Sequence, residues 1–315
     1  MNLKLEKSGI WGPIMLGLMS VNKIDPSFLT HADRWKLVIK LVENVTIIPD
    51  PVFDSAISLI HEPSITPENF AECIDLLIKT ISLLKETQEI TSERSRKAID
   101  KLYKLNFHIP ALIKGSNFQS ERAWYEFWLP ALSGLGLQSY HTDPEIRTYA
   151  FGLFSKMILS TEFSTAIDSA DHFRACFDNV LFPIIQGILS DNVDDTRAIQ
   201  LMCKFYLSHM LMLKGGQIKS LVELWFEILS IISRYLSACT NQVTVTFHFI
   251  QIESIQESLK NMVLVMSADA ILIPDTLDAE ENNSGIWAPT WERVDLILPG
   301  LKGDLFPELN QNTDT

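Results

Sequence analysis

Trp124-Tyr-Glu-Phe-Trp-Leu-Pro-Ala-Leu-Ser-Gly-Leu135 decides the fold of this chain, together with Asp143-Pro-Glu-Ile-Arg147, which follows it after a short gap. The first segment is an apolar run that contains a Leu-Pro step, and the second has the Asp-Pro start and early Arg that are typical of a helix N-terminus. The pattern returns about fifty residues later, with Val180-Leu-Phe-Pro-Ile-Ile185 and then Asp194-Asp-Thr-Arg197. Both copies predict two helices joined by a turn.

The spacing of the two copies indicates a repeat architecture. Pro130 of the Leu-Pro step and Pro183 of the Phe-Pro step are 53 residues apart, and Arg147 and Arg197 are 50 residues apart. Helix pairs that return at about 40–47 residues are typical of HEAT and armadillo repeats. We therefore predict an all-α fold, a HEAT/armadillo-like helical-repeat solenoid in which the other segments are more or less degraded copies of the same unit.

Helical spacing of apolar residues and Asp-Pro or Thr-Pro starts predict the other helices. The expected segments are Ala32–Ile48, Asp50–Ile60, Thr66–Lys85, Thr91–Phe107, Ile218–Ser237, Ile252–Met266 and Trp287–Leu301, with Ile10–Met19 as the end of a further helix. Gln242–Phe249 alternates with period two like a strand. In so helical a chain, we expect an irregular loop or a helix start there instead.

Three regions follow from the pattern. Pro110–Ser120 combines Gly with polar residues and is the best internal boundary. We predict a helical-repeat module over 1–115, clearer HEAT-like repeats over 116–268, and an acidic loop, short terminal helix and tail over 269–315.

Charge and cysteine usage exclude several classes of protein. The net charge is −13, which argues against a nucleic-acid partner because phosphate binding depends on clustered Lys and Arg. The four cysteines are far apart without a CxxC pair, so we expect buried free thiols in a reducing compartment. No apolar run is long enough to span a bilayer, so we expect no transmembrane segment.

The motifs of catalysis and cofactor binding are absent from the sequence. It contains no GxxxxGK[ST] phosphate loop, no HExxH, no GxSxG elbow and no His/Cys cluster with ligand spacing. We therefore expect no catalytic residues, no metal and no cofactor. Asp194 and Asp195 are interpreted as groups that cap a helix and offset its dipole.

Two sets of residues are candidates for specific roles. Asp143, Arg147, Asp195 and Arg197 are interpreted as repeat-structural residues that tie neighbouring repeats by charge-assisted hydrogen bonds, with partner binding by the two Arg as the alternative. Trp287, Trp291 and Phe306 lie near prolines in an acidic region. We favour a cap over the last repeat for them, and the alternative is a contact with a partner or a membrane surface.

Several segments resemble one protein family. Glu257-Ser-Leu-Lys-Asn-Met-Val-Leu-Val-Met266 resembles a signature in the C-terminal region of the large GBF/Gea-type Arf guanine-nucleotide exchange factors. Trp291-Glu-Arg293, the Leu-Phe-Pro of Leu305–Pro307, Asn179–Pro183 and the turn at Arg197 are similar as well. The resemblance extends from about Trp124 to Glu308. It implies that the second half is the last homology-downstream module of this family and that the first half is the preceding one.

The resemblance implies a role without chemistry of its own. Catalysis in the family depends on a glutamate finger from a Phe-Arg-x-Pro-Gly-Glu loop, whereas Phe173-Arg174 is followed here by Ala-Cys. We expect a non-enzymatic regulatory scaffold, cytoplasmic and peripheral on Golgi membranes, whose partners are the Golgi membrane surface, small GTPases of the Arf/Rab type and other domains of the parent factor. The alternative is a general HEAT-like protein–protein adaptor unrelated to Arf.

Overall fold

The computed structural model describes residues 2–31, 33–36, 38, 50–60, 64–85, 91–116, 118–190, 196–211, 218–240, 245–274 and 285–307. Within these ranges every regular element is a helix, which confirms the predicted all-α helical-repeat class. The chain forms two compact units, unit 1 over Met1–Asp168 and unit 2 over Ser169–Thr315. None of the described helices is long and apolar enough to cross a membrane.

Unit 1 is organised around the fourth of its described α-helices. The α-helices described in this unit are α1 (Asn2–Ile24), α2 (Asp50–Ser58), α3 (Phe70–Lys85), α4 (Thr91–Leu105), α5 (Ile109–Ser116), α6 (Ser120–Ala123), α7 (Leu129–Gly136), α8 (Pro144–Ile158) and α9 (Thr161–Ala166). Helix α4 packs against α2, α3, α7 and α8. It is rich in charged residues, yet Ile99 and Leu102 are fully buried because they fall on the face that its neighbours cover.

Unit 2 is built around two long helices. Its described helices are α10 (Ala170–Cys176), α11 (Phe182–Ser190), α12 (Arg197–His209), α13 (Ile218–Thr240), α14 (Val245–Ala268), α15 (Trp287–Ile297) and α16 (Leu301–Leu305). Helix α14 packs against α12 and α13, and α15 packs on α13. The core of α13 is formed by Leu221, Leu224, Trp225, Ile228 and Ile232, all with no exposed surface. These residues recur at the helical spacing that the sequence predicted.

A π-helical turn precedes the proline in both copies of the repeat. The turns span Trp124–Trp128 and Phe177–Leu181, one residue before Leu129-Pro130 and Phe182-Pro183. In each, the N–H of the residue before the proline donates to the carbonyl five residues earlier. An α-helical proline lacks the N–H donor and its ring crowds the carbonyl four residues back, so a wider turn relieves the clash without ending the helix.

Polar side-chain contacts join elements that are about one repeat apart. In the described part of the chain these pairs include Asn22–Ser64, Asp54–Lys97, Arg96–Glu145, Asp100–Tyr149, Ser120–Asp168, Arg174–Glu227 and Gln200–Ser254, with separations of 42, 43, 49, 49, 48, 53 and 54 residues. The 53-residue and 50-residue spacings of the sequence repeats fall in the same range. The pairs therefore link successive helix pairs within each unit, as expected when each repeat contacts its neighbours.

Pro110–Ser120, predicted as an internal boundary, lies mostly in α5, which follows α4 through a short 3₁₀ turn. Two predicted helix starts were wrong. The predicted helix at Thr66 begins only at Phe70, since the side chain of Asn69 accepts the Thr66 N–H at 2.8 Å and holds the preceding residues in a turn. Helix α14 starts at Val245 instead of Ile252, so the strand-like pattern there is the start of a helix.

Some of the remaining predictions concern residues that the structure describes, and others do not. The Ile10–Met19 segment lies in α1, as predicted. The structure does not describe most of the predicted helix Ala32–Ile48. Asp195 and the acidic loop at 275–284 also lie outside the described residues. The division into regions 1–115, 116–268 and 269–315 stays a prediction.

Candidate functional site

The aromatic residues near the C-terminal end of unit 2 form one cluster. The rings of Trp287 and Trp291 are 5.4 Å apart, and the ring of Phe306 lies 5.3 Å from Trp287 and 5.9 Å from Trp291. All three pairs meet edge to face, the arrangement that the aromatic quadrupole favours. We call these three residues the aromatic cluster. The ammonium of Lys302 lies 5.7 Å from the Trp287 ring centroid and places a cation on its face.

Local sequence explains how the aromatic cluster forms. Trp287 and Trp291 are four residues apart and share one face of α15. After α15, Gly300 adopts a left-handed backbone with φ of 85°, which a residue with a side chain rarely adopts, and the chain turns into α16. Helix α16 then carries Phe306 back onto the two tryptophans.

A buried hydrogen bond attaches α15 to the core of unit 2. The indole N–H of Trp225, in α13, donates to the hydroxyl of Thr290 at 2.9 Å. Both residues are fully buried, so neither group has a water molecule as an alternative partner. This contact fixes the face of α15 that carries the aromatic cluster against α13.

The burial of the aromatic cluster agrees with its interpretation as a cap. Trp287 and Trp291 are 5% and 3% exposed, and only Phe306 is partly accessible. A partner or membrane contact by these residues stays a prediction, and it would require Trp287 and Trp291 to leave this cluster.

The residues predicted to tie repeats together act locally where they are described. Asp143 is the N-cap of α8, as its Asp-Pro sequence predicted, and its carboxylate accepts the Glu145 N–H at 2.8 Å. The guanidinium of Arg147 donates to the His141 carbonyl at 2.8 Å. These bonds close the turn before α8 within one repeat. A link from these residues to a neighbouring repeat stays a prediction.

The second copy differs from the first at this position. Helix α12 begins at Arg197 after Thr196, and the Thr196 side chain makes no capping hydrogen bond. Arg197 is part-buried, and Asp195 lies outside the described residues, so the link that these two residues were predicted to form with a neighbouring repeat stays a prediction.

The ion pair that links helices of unit 2 was not singled out from the sequence. Arg174, in α10, holds both carboxylate oxygens of Glu227, in α13, at 2.9 and 2.8 Å. Its Nε also donates to Asp178 one turn further along, at 2.8 Å to one oxygen. These hydrogen bonds raise the pKa of Arg174 and keep it charged. The signal in the sequence was a one-repeat separation of 53 residues between opposite charges.

The described residues do not gather the side chains of a metal site or a reactive thiol. No group of three or more His, Cys, Asp or Glu is placed to hold a metal ion in the part of the chain that the structure describes. Cys73, Cys176 and Cys203 are buried free thiols, and burial raises the pKa of each, to about 12 for Cys203. A thiol that stays protonated is a poor nucleophile.

Comparison with known proteins identifies the family. Residues 128–301 match the family described as "GBF1-like, tetratrico peptide repeat region". The chain belongs to this family. The match covers more than half of the chain and runs from the second Trp of the quoted stretch to the first residue of α16. The resemblance inferred from the 257–266 segment is thereby confirmed.

Three curated proteins to which the chain is similar are named as guanine-nucleotide exchange factors or a homologue of one, and this chain spans only a small part of each. The chain is 27% identical over 195 residues to the "Golgi-specific brefeldin A-resistance guanine nucleotide exchange factor 1 homolog" of Caenorhabditis elegans, which covers 58% of this chain and 9% of that protein. It is 23% identical to the Arabidopsis thaliana "ARF guanine-nucleotide exchange factor GNOM" and 22% identical to GNL1 of the same plant. Those two alignments cover 91% of this chain and about a fifth of each relative.

The helical repeats have no close counterpart of known structure. No solved structure matches this chain. The family description refers to tetratrico peptide repeats, whereas the spacing of 50–53 residues in this chain exceeds the 34 residues typical of that repeat.

Proposed function

We propose that this GBF1-like chain is a non-catalytic regulatory scaffold of a large Arf guanine-nucleotide exchange factor. In this role it acts in Golgi vesicle trafficking and helps recruit the factor to Golgi membranes or to partner GTPases of the Arf/Rab type. The observation that carries the proposal is the family match over 128–301, together with two plant relatives whose names describe ARF guanine-nucleotide exchange factors.

The chemistry of the sequence supports a scaffold rather than an exchange domain. Exchange in the family relies on a Phe-Arg-x-Pro-Gly-Glu loop, and this sequence continues Phe173-Arg174 with Ala-Cys. The interior of unit 2 is an apolar and aromatic core, with Phe173 itself stacked against Phe205 and His209. We therefore propose that catalysis lies in other parts of the parent factor and that this chain acts from the cytoplasmic side as a peripheral component.

Recruitment and exchange are tested separately. The tagged chain is expressed in cells and its overlap with a Golgi marker is measured, and the purified chain is tested for binding to Arf and Rab GTPases loaded with GDP or a GTP analogue. Nucleotide exchange on Arf is then followed with the exchange domain alone and with the same domain joined to this chain.

The proposal expects Golgi enrichment or nucleotide-dependent GTPase binding, and no exchange by the chain alone. It also expects the joined protein to catalyse nucleotide exchange on Arf at membranes at a rate that differs from that of the exchange domain alone. A diffuse distribution combined with no GTPase binding and no effect on exchange would contradict it. In that case the alternative of a general protein–protein adaptor would be favoured, since it requires only the helical repeats.

A further inference from the structure

A cleft between α2 and α4 of unit 1 is lined by lysines on one side. Lys97, Lys101 and Lys104 follow each other at four and three residues, so all three lie on one face of α4. The opposite wall is formed by Asp54 and Ser58 of α2, and the cleft has a volume of about 280 Å³. We call this space the lysine cleft. It lies in a unit whose charge is nearly balanced, with 17 Lys/Arg against 20 Asp/Glu, whereas unit 2 has 9 against 19.

The three ammonium groups are not equivalent. Lys97 contacts Asp54 at 2.8 Å and Glu93 at 3.2 Å, so its charge is already neutralised. Lys101 is half-buried and forms no hydrogen bond or ion pair with any part of the chain that the structure describes. Its burial, and then the neighbouring charge of Lys104, lower the pKa of Lys101. A cation held out of water beside a like charge is stabilised by an anion that enters the cleft.

The charges of the lysine cleft indicate which anion fits. Asp54 and Asp100 also line it, and the Asp100 carboxylate accepts a hydrogen bond from the Tyr149 hydroxyl. Lys97 is already paired with Asp54 and Glu93, so Lys101 and Lys104 are the lysines of the cleft without an ion pair among the described residues. One carboxylate can bond to Lys101, whereas a phosphate dianion would bring two negative charges beside the carboxylates of Asp54 and Asp100. The cleft is therefore suited to a single Asp or Glu side chain.

An apolar recess adjoins the lysine cleft. Ser58 lines both spaces. The apolar part of the wall of the second space is formed by Leu16, Met19 and Leu59, and its polar part by Ser20, Asn22 and Lys23 of α1. The volume of this second space is about 470 Å³. We call it the apolar recess. Helix α1 also exposes large apolar side chains, with Leu16 at 64% and Ile24 at 85%.

We propose that the lysine cleft and the apolar recess together bind an amphipathic helix of a partner protein. In this arrangement the partner's apolar stripe packs on α1 and in the recess, and an Asp or Glu beside that stripe bonds to Lys101. A helix can insert side chains into two adjacent recesses, as helix-in-groove recognition requires, whereas a bilayer surface does not enter them. This binding site lies in unit 1 and does not depend on the proposed role at the Golgi.

The first experiment identifies the preferred ligand chemistry. A display library of random amphipathic peptides about four helical turns long is selected on the immobilised full chain. The proposal expects the enriched peptides to carry Asp or Glu next to the apolar stripe. The Lys101→Gln chain is expected to lose this acidic preference in a parallel selection. A library that yields no binders, or binders without acidic residues, would overturn the proposal.

The second experiment tests the contact itself. The affinity of an enriched peptide is measured by fluorescence polarisation for the natural chain, Lys101→Gln and the control Lys156→Gln, which replaces an exposed lysine of α8. Loss of a part-buried ion pair is expected to weaken binding about fivefold in Lys101→Gln, with little change in the control. Replacing the peptide's acidic residue by its amide is expected to weaken binding to the natural chain only.

Two further measurements separate the rival outcomes. Leu16→Ser is expected to weaken peptide binding without removing the acidic preference, because it changes only the apolar recess. Circular dichroism and thermal unfolding verify that each variant is folded. Equal affinities for the natural chain and Lys101→Gln would overturn the proposal. So would Lys101-dependent binding to phosphatidylserine vesicles without acidic peptide binding, which would indicate a membrane surface instead.

Discussion

Helix α1 of unit 1 and helices α15 and α16 of unit 2 are both rich in apolar residues, but their side chains end in opposite environments. Leu16 and Ile24 of α1 are 64% and 85% exposed, whereas Trp287 and Trp291 of α15 are 5% and 3% exposed. The difference lies in the covering element. Helix α16 turns back at Gly300 and places Phe306 on the tryptophans, and no described element covers the outer face of α1 in the same way. Burial in a repeat protein is therefore decided by which neighbour each helix has.

The largest loss of stability is expected when a ring of the aromatic cluster is removed. Trp291→Ala removes a buried ring that contacts both Trp287 and Phe306. We expect the free energy of unfolding to fall by about 3–5 kcal/mol, because the lost burial is compounded by a cavity. Guanidinium unfolding followed by near-UV circular dichroism measures the change. Leu296→Ala, at a residue 83% exposed on the same helix, is the control and is expected to have little effect. Similar losses for the two variants would contradict the described packing.

A smaller effect is expected from the hydrogen bond that attaches α15. Thr290→Val keeps the shape of the side chain but leaves the buried Trp225 indole N–H without its acceptor. We expect a loss of about 1–2 kcal/mol, the usual consequence of an unsatisfied buried donor. Thr290→Ser retains the hydroxyl and is expected to lose less. Unfolding of both variants under the same conditions decides the point, and a valine variant as stable as the natural chain would show that this bond does not hold α15.

The ion pairs that link repeats provide a comparison between the units. The Arg174 side chain is 29% exposed and grips Glu227 with two hydrogen bonds, whereas Arg96 is 47% exposed and reaches Glu145 only at 3.3 Å. The guanidinium holds Asp178 through Nε and Glu227 through a second nitrogen, which the single nitrogen of a lysine cannot do. Arg174→Lys is therefore expected to lower stability by about 0.5–1 kcal/mol. The matched variant Arg96→Lys is expected to change it by less. Equal effects in urea unfolding would mean that the two links are alike.

The smallest effect is expected on the exposed face of α1. Leu16→Ser and Ile24→Ser remove apolar groups that water already surrounds, so stability should stay within about 0.5 kcal/mol of the natural chain. Static light scattering at rising concentration is expected to show weaker self-association, because less apolar surface is exposed. A loss as large as that of Trp291→Ala would show that this face is covered in solution, and the contrast between the two regions would fail.

Much of the fold follows from local sequence. The Asp-Pro step at Asp143 predicted a capped helix start, and the capping hydrogen bonds are present. The spacing of apolar residues in α13 predicted its buried face correctly. The strand-like pattern near residue 245 belongs to a helix start, one of the two structures expected there, because alternation over a few residues also fits a helix.

The candidate sites were harder to predict. A cap formed by the residues of the aromatic cluster was predicted from their composition and position. The contact of Phe306 with Trp287 is seen only in the structure. The lysine cleft was not predicted, although Lys97, Lys101 and Lys104 show helical spacing in the sequence. Which of these lysines is paired depends on α2, which lies about forty residues earlier in the chain. Asp54 of α2 bonds to Lys97, whereas Lys101 has no partner among the described residues.

By itself, the sequence determined the helical class, the repeat spacing near fifty residues, the principal helix starts and the family. These properties arise from local periodicity, from the backbone restrictions of Pro and Gly, and from motifs that are read in order along the chain. The tertiary structure alone decided which charges are paired and which apolar faces are covered. Those features depend on contacts between residues of different helices, and such contacts exist only once the helices are packed.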